Sequence, residues 1–257
     1  MTISRPGPIS GDVKGSPFDL DDEPAYLAWR ERKLAAVPRS IEEQCVTIQD
    51  ANRLDGQEMA AVQKALQRTN FAIYTLNRDV GEDKVLIRQL GRQLGLERLD
   101  NNLCCDEDSI TSLKVVGKRR EGEYIPYTNK RLNWHTDGYY NSLDRQIHGV
   151  ILHCVRPAAT GGESILMDCE VAYIQLRDEN PDYIRALRAA DAMTIPPNVQ
   201  NGKEIRPEQG GPVFSVAADG HLHMRYSART RNIVWKDDTT TQAAVEFLLN
   251  LFQPDSP

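Results

Sequence analysis

The residues of this chain with the clearest chemical potential are a histidine and an aspartate two positions apart, His135 and Asp137, with Thr136 between them. On a β-strand, residues i and i+2 point to the same face, so the two side chains are expected to converge while Thr136 points away. One imidazole nitrogen and one carboxylate oxygen are two-thirds of the triad that holds non-haem Fe(II) and leaves positions open for substrate and oxygen. We therefore predict that His135 and Asp137 are metal ligands on a strand.

The first part of the chain, which must support this strand, favours helices. Apolar residues recur every three or four positions, and this spacing predicts helices over residues 24–36, 56–70 and 82–94. Gly95 supplies the C-terminal stop of the third helix. A strand is predicted over residues 71–76.

From about residue 110 the pattern changes to short strands and turns. Strands are predicted at six places, which are residues 112–116, 147–155, 164–167, 193–195, 213–216 and 221–227. A helix begins near Ala172, Asn180 caps another that begins at Pro181, and residues 240–252 form a closing amphipathic helix. This succession predicts an α+β, mainly β fold, a sandwich or jelly roll with flanking helices.

Composition restricts the class of protein. The 257 residues, 40% hydrophobic and 26% charged, are typical of a globular protein with one large domain. The net charge of -6, with acids and bases interspersed, argues against nucleic acid as a partner. Five cysteines without metal-like spacing indicate reduced thiols, hence a cytoplasmic location. No apolar run of about 18 residues and no signal-peptide core are present, so no membrane association is expected.

Three motifs together resemble the taurine dioxygenase family. In chain order they are residues 133–137 (Asn-Trp-His-Thr-Asp), residues 160–164 (Thr-Gly-Gly-Glu-Ser) and Ala172-Tyr173. The compound match is far more specific than His-x-Asp alone. The resemblance implies an oxygenase that uses Fe(II) as cofactor and 2-oxoglutarate as cosubstrate. It also implies a double-stranded β-helix, a jelly roll that holds the metal inside one end.

The resemblance also implies roles for individual residues. His135 and Asp137 match the first two iron ligands. Ser164 matches a threonine that hydrogen-bonds the 2-oxoglutarate carboxylate, and Asn133 matches a position that often contacts the primary substrate. The implied reaction is hydroxylation of a small polar or anionic metabolite by O2, with decarboxylation of 2-oxoglutarate to succinate. The family favours dimers and tetramers, so a homo-oligomer is left open.

The C-terminal part departs from the family pattern. In the family, a second metal histidine and the arginine that pairs with 2-oxoglutarate follow the closing helix, and this sequence has no residues there. We therefore expect a truncated part of a longer protein, since loss of a late strand would open the jelly roll. The expected organisation is an N-terminal arm and helix over residues 1–55 and a dioxygenase domain, incomplete at its C-terminus, over residues 56–257. Whether this 257-residue piece is itself active is left open.

Other readings of the residues remain. His221 and His223 share a strand face and would suit a metal pair, whereas His148 and His153 lie five apart and face opposite sides. A catalytically inactive relative acting as a binding or assembly module is the main alternative function. A jelly-roll hydrolase or isomerase with another metal is a third. Taurine itself is doubtful as substrate, because no histidine follows Gly95 where the family's sulfonate-binding histidine is expected.

Overall fold

The computed structural model describes residues 8–9, 14–100, 109–115, 125–229 and 231–253. The α-helices are α1 (Glu23–Ala35), α2 (Gly56–Thr69), α3 (Lys84–Gln93), α4 (Cys169–Glu179), α5 (Pro181–Leu187) and α6 (Thr239–Leu251). The strands are β1 (Pro8–Ile9), β2 (Cys45–Ile48), β3 (Ile73–Leu76), β4 (Met193–Ile195), β5 (Asn198–Gln200), β6 (Lys203–Arg206), β7 (Gln209–Gly211), β8 (Phe214–Ala217), β9 (Leu222–Met224) and β10 (Val234–Trp235). No helix in the described part of the chain is both long enough and apolar enough to cross a bilayer.

Each of these α-helices begins at a side chain that accepts a backbone N–H of the first turn. The capping residues are Asp22, Asp55, Asp83, Asp168, Asn180 and Asp238. Helix α3 ends as predicted, because Gly95 adopts a φ of 85° and Leu96 donates its backbone N–H to the carbonyl of Gly91 at 2.9 Å. The predicted helices are therefore confirmed to within one or two residues at most ends.

Two apolar cores hold these elements together. The larger lies among α4, α5, α6, β8 and β9, and Tyr173, Phe214, Tyr226 and Leu248 are almost completely buried in it. The smaller lies between α2, α3 and the parallel pair β2–β3, and it contains Val46, Ile48, Val62, Leu86 and Leu90. The candidate site borders the larger core, because Trp134 and Tyr139 pack against it.

The sheets are small. Strands β1, β8 and β9 form one antiparallel sheet, β10, β4 and β7 a second, and β5 with β6 an antiparallel hairpin. The predicted strands at 193–195 and 213–216 are confirmed, the latter one residue later. Only Leu222–Met224 of the predicted strand 221–227 is a strand. The hairpin was missed although Asn201 and Gly202, with φ of 51° and 75°, form the Asn-Gly turn typical of such loops.

Three predicted strands are wrong in the described residues. Residues 112–115, 147–155 and 164–167 are not strands, and Val116 lies outside the described residues. An apolar run becomes a buried strand only where a partner covers it. Here the side chains of Val150, Leu152, Ile165 and Leu166 are 48%, 63%, 68% and 54% exposed. The structure thus has helices and several small antiparallel sheets, and it supports the predicted double-stranded β-helix only in part.

A buried ion cluster fixes α1 to the start of α4. Lys33 Nζ lies 2.6 Å from Asp168 Oδ2 and also contacts Glu170, and the Lys33 and Asp168 side chains are about 5% exposed. Asn70 donates to the other Asp168 oxygen at 2.8 Å. Burial alone would lower the pKa of Lys33, but the two carboxylates outweigh it and raise that pKa. The cluster therefore joins the N-terminal helix to the larger core.

Replacing Lys33 by methionine tests this connection. Lys33→Met keeps the side-chain length but leaves Asp168 and Glu170 buried without their cation, so we expect the free energy of unfolding to fall by about 3–5 kcal/mol. Urea denaturation measures the loss. In the control variant Arg185→Met only the exposed pairs with Asp21 and Asp182 are lost, and the expected change is below about 1 kcal/mol. Equal losses in the two variants would show that the buried cluster stabilises the fold no more than an exposed ion pair does.

Candidate metal centre

The His-x-Asp segment is held by a short antiparallel contact with residues 226–228. The backbone N–H of Ala228 donates to the carbonyl of Trp134 at 2.8 Å, and the N–H of Thr136 donates to the carbonyl of Tyr226 at 2.9 Å. His135 lies between these two hydrogen bonds, opposite Ser227. The Thr136 hydroxyl also accepts a hydrogen bond from the backbone N–H of Tyr226 at 3.0 Å, so this hydroxyl helps to hold the contact.

Aromatic packing seats this contact on the end of α6. The rings of Trp134 and Phe252 stack with centroids 5.0 Å apart and an interplanar angle of 20°. Phe252 also packs against Tyr226, at 5.3 Å. Both segments of the antiparallel contact therefore pack against Phe252, and this packing holds His135 in place between them.

The imidazole of His135 is oriented by its own backbone. Its Nδ1 lies 2.7 Å from the carbonyl oxygen of Asn133, and its Nε2 lies 3.5 Å from Oδ1 of Asp137. An Nδ1–H that donates to a carbonyl leaves the lone pair on Nε2, the arrangement typical of metal-binding histidines. The two side chains thus converge as predicted. Their role as metal ligands stays a prediction.

The route to this convergence differs from the predicted strand. Only His135 takes part in a bridge, and residues 137–140 form a turn. Gly138 makes the turn with a φ of 67°, a conformation that favours glycine. The predicted strand is therefore wrong, and Asp137 faces His135 from the first residue of this turn.

The local charges suit a divalent cation. The Asp137 carboxylate is the main cause that raises the pKa of His135; burial opposes the rise, the Asn133 carbonyl adds to it, and the positive charge of Arg229 opposes it. A metal ion bound at Nε2 would displace this proton and take over the attraction of Asp137. The side chains of His135 and Asp137 are 31% and 51% exposed, so ions and small molecules can reach them. One nitrogen and one oxygen donor fit Fe(II).

The other two predicted site residues are not brought into contact with this pair. Ser164 is exposed, and within the described residues no hydrogen bond joins it to His135 or Asp137. Asn133 is exposed and serves the pair through its backbone carbonyl. The predicted roles of Ser164 towards 2-oxoglutarate and of Asn133 towards the substrate stay predictions.

His223 packs away from the pair. Its ring lies 5.6 Å from that of His148, and its Nε2 is 3.3 Å from the carbonyl oxygen of Ile147. Burial, then the charge of His148, lowers the pKa of His223 to about 4, so the side chain is neutral at physiological pH. This environment is that of a core histidine.

The remaining histidines have partners elsewhere. His221 pairs with Asp219 at 3.1 Å in the β8–β9 turn, and His153 hydrogen-bonds and stacks with Tyr74, with 3.0 Å between Nδ1 and the hydroxyl. Across the ranges that the structure describes, no three His, Cys, Asp or Glu side chains cluster as a metal site. These ranges therefore supply two candidate ligands and no third.

Sequence reasoning missed the structural role of Arg225. This residue is 2% exposed, and its guanidinium donates to four backbone carbonyls, those of Tyr139, Met193, Gln209 and Gly211, at 2.7–3.4 Å. Burial, with the charge of Arg206, lowers the pKa of Arg225 to about 10, which still leaves it charged at neutral pH. Arg225 thus ties the 137–140 turn to β4 and β7. The only sequence signal was an arginine between Met224 and Tyr226, two apolar positions where an unpaired charge would not be buried.

Tyr139 completes the surroundings of the pair. Its ring stands edge-to-face with the His135 ring at 6.5 Å and packs against Tyr140 at 5.3 Å. Its hydroxyl accepts a hydrogen bond from Nη1 of Arg229 at 3.2 Å. The turn therefore places an aromatic face and a cation beside the candidate ligands.

Comparison with known families decides the class. The family described as "Taurine catabolism dioxygenase TauD, TfdA family" matches residues 33–255. The chain belongs to the TauD/TfdA family. The resemblance seen in the sequence is confirmed, and the match spans both the His-x-Asp segment and the residues that hold it.

Two proteins with sequences similar to this TauD/TfdA chain are named uridine-5'-phosphate dioxygenase. One, from a Streptomyces species, is 29% identical over 151 residues, which are 58% of this chain and 53% of the relative. The other, from an Amycolatopsis species, is 36% identical over 98 residues, 37% of this chain and 33% of the relative. The chain thus spans about half or less of the length of these curated relatives. No solved structure matches it.

The turn of this TauD/TfdA site gives a stability test. A Cβ on Gly138 would lie 2.3 Å from Cγ1 of Ile147, in addition to the strain of its positive φ. We expect Gly138→Ala to lower the free energy of unfolding by about 2–4 kcal/mol in thermal or urea denaturation. Gly220 has a φ of 83° but nothing within 4 Å, so Gly220→Ala should show the backbone strain alone, about 1–2 kcal/mol. If Gly138→Ala costs no more than this control, Ile147 does not confine the turn.

Proposed function

We propose that the protein is an Fe(II)- and 2-oxoglutarate-dependent dioxygenase that hydroxylates a small anionic metabolite. The observation that carries this proposal is the geometry of His135, whose Nε2 faces the Asp137 carboxylate at 3.5 Å while Nδ1 is held by the Asn133 carbonyl. Membership of the TauD/TfdA family supports the same chemistry. The partners of such an enzyme are its substrate and O2.

In this proposal His135 and Asp137 hold the iron. When bound, the iron with 2-oxoglutarate supplies the oxidation of a substrate C–H bond by O2 and the release of succinate and CO2. The chain's own share is positional. The Asn133 carbonyl keeps the imidazole in the ligating tautomer, Gly138 forms the turn that begins at Asp137, and the exposed side of the pair leaves room for exchangeable ligands.

The 2-oxoglutarate grip is assigned to Ser164, whose hydroxyl would donate to a carboxylate of the cosubstrate. For this the segment 163–167 must lie alongside the metal. Ser164 is exposed, so a carboxylate of the cosubstrate can reach its hydroxyl.

For the substrate we propose a nucleoside 5'-phosphate, with uridine 5'-phosphate as the first candidate. The names of two relatives support it. The arginine beside Tyr139 supports an anionic group on the substrate. Asn133, exposed next to His135, is the proposed contact to the part of the substrate that approaches the metal.

Succinate release tests the proposal. The protein is incubated with Fe(II), 2-oxoglutarate, O2 and uridine 5'-phosphate, and succinate and oxidised nucleoside are measured by mass spectrometry. We expect succinate formation that requires every component. His135→Ala should reduce it by at least about 100-fold because an iron ligand is lost. His221→Ala removes a histidine of the exposed β8–β9 turn and should leave it unchanged.

Two outcomes would change the conclusion. A folded protein that binds neither Fe(II) nor 2-oxoglutarate supports the alternative, a catalytically inactive relative that acts as a binding module. Full succinate formation in His135→Ala would show that the His135–Asp137 pair is not the iron site.

A further inference from the structure

We propose that Arg229 binds the phosphate group of the substrate, on the side of the His135–Asp137 pair where Tyr139 lies. The inference rests on the proposed function and assigns a specificity-determining residue within it. Neither the family match nor the named relatives assign a role to this arginine.

The position of Arg229 is fixed by the contact that also fixes the metal-site candidates. It directly follows residues 226–228, and Ala228 is hydrogen-bonded to Trp134 at 2.8 Å. Its side chain extends to the Tyr139 hydroxyl, 3.2 Å from Nη1. Because the Tyr139 ring stands edge-to-face against His135, this one side chain links the Arg229 guanidinium to the His135–Asp137 pair.

Arg229 also has hydrogen-bonding capacity to spare. The residue is exposed, and the Tyr139 contact is its one hydrogen bond to the described residues, which leaves four of its five N–H donors for a ligand. Several other arginines pair with acids, as Arg30, Arg145, Arg177 and Arg185 do. Arg229 has no such carboxylate within the described part of the chain. A planar fork of free donors is suited to bidentate binding of phosphate.

Two more arginines add positive charge to the same region. Arg225 is buried beneath the turn and donates to carbonyl oxygens alone, among them that of Tyr139. Arg206 is half-buried and donates to the carbonyls of Pro196 and Pro207. Within the described ranges neither pairs with a carboxylate, so their charges are not cancelled locally. Burial and then the charge of Arg206 lower the pKa of Arg225, so these two arginines lie near each other, and Tyr139 and Tyr140 lie near enough to act on Arg206.

This charge favours a dianionic ligand over a neutral one. Carbonyl dipoles satisfy the hydrogen bonds of Arg206 and Arg225 but leave their net positive charge, which attracts anions. Asp137 is the acidic residue of the turn, and a metal ion bound to its carboxylate would neutralise that negative charge. A phosphate held at Arg229 would then place the rest of the substrate towards the metal.

The substrate phosphate and the carboxylates of 2-oxoglutarate are all anions, so the binding experiment must show which of the two ligands Arg229 contacts. Isothermal titration calorimetry is done with uridine 5'-phosphate, uridine and 2-oxoglutarate on the wild-type protein, Arg229→Gln, Arg229→Lys and Tyr139→Phe. Arg185→Gln is the matched control, because it removes one exposed arginine charge on α5, away from the turn. Thermal unfolding of each variant shows that it is folded.

We expect Arg229→Gln to lower the affinity for uridine 5'-phosphate about 10- to 100-fold, which is the usual loss when a hydrogen bond between charged groups is removed. Arg229→Lys should bind more tightly than Arg229→Gln, because lysine keeps the positive charge but lacks the planar pair of donors. Tyr139→Phe should lower the affinity by a smaller factor than Arg229→Gln. Binding of uridine and of 2-oxoglutarate should not change in these variants. Arg185→Gln should bind all three ligands as the wild type does.

Each other result overturns the inference in a distinguishable way. If Arg229→Gln binds uridine 5'-phosphate as tightly as the wild type, Arg229 is not the phosphate residue, and the proposed function stands. If Arg229→Gln instead loses 2-oxoglutarate, the arginine serves the cosubstrate. If the wild type binds 2-oxoglutarate and forms succinate but does not bind the nucleotide, the substrate and the inference fall together while the dioxygenase proposal remains.

Discussion

The candidate site depends on one short hydrogen-bonded contact, in which residues 134–136 lie antiparallel to residues 226–228. Two backbone hydrogen bonds of 2.8 and 2.9 Å flank His135 and leave its side chain directed outwards. The contact is too short to be stable alone, so it needs the support of the core. Phe252 supplies this support because it packs against an aromatic ring from each side of the contact.

The second half of the site depends on a turn held by a buried charge. Arg225 satisfies its guanidinium with four carbonyl oxygens from three parts of the chain, one of them in the turn that follows Asp137. A buried arginine is tolerated when its donors are all satisfied, and removing it would leave several carbonyls without partners. The same residue therefore stabilises the fold near the site and contributes positive charge beneath it. Gly138 permits this turn because it adopts a φ of 67°, which favours glycine.

The sequence was sufficient for the features that depend on local chemistry. The helices follow from apolar spacing and from a cap such as Asn180, and the convergence of His135 with Asp137 was predicted, although on a strand that the structure replaces by a turn. The structural role of Arg225 could not be predicted, because its four acceptors come from residues 14 to 86 positions away. The apolar segments 147–155 and 164–167 were predicted as strands from composition alone. Composition specifies a strand only together with a partner, which the described residues do not provide.

The central claim is that His135 and Asp137 bind one metal ion together. The most direct test is anomalous diffraction at the iron edge from crystals of the protein grown with Fe(II) without oxygen. The account predicts one anomalous peak within coordination distance of both His135 Nε2 and a carboxylate oxygen of Asp137, with Nδ1 still bonded to the Asn133 carbonyl. A peak at other residues, such as His148 and His223, or no peak beside a well-ordered His135, would contradict it.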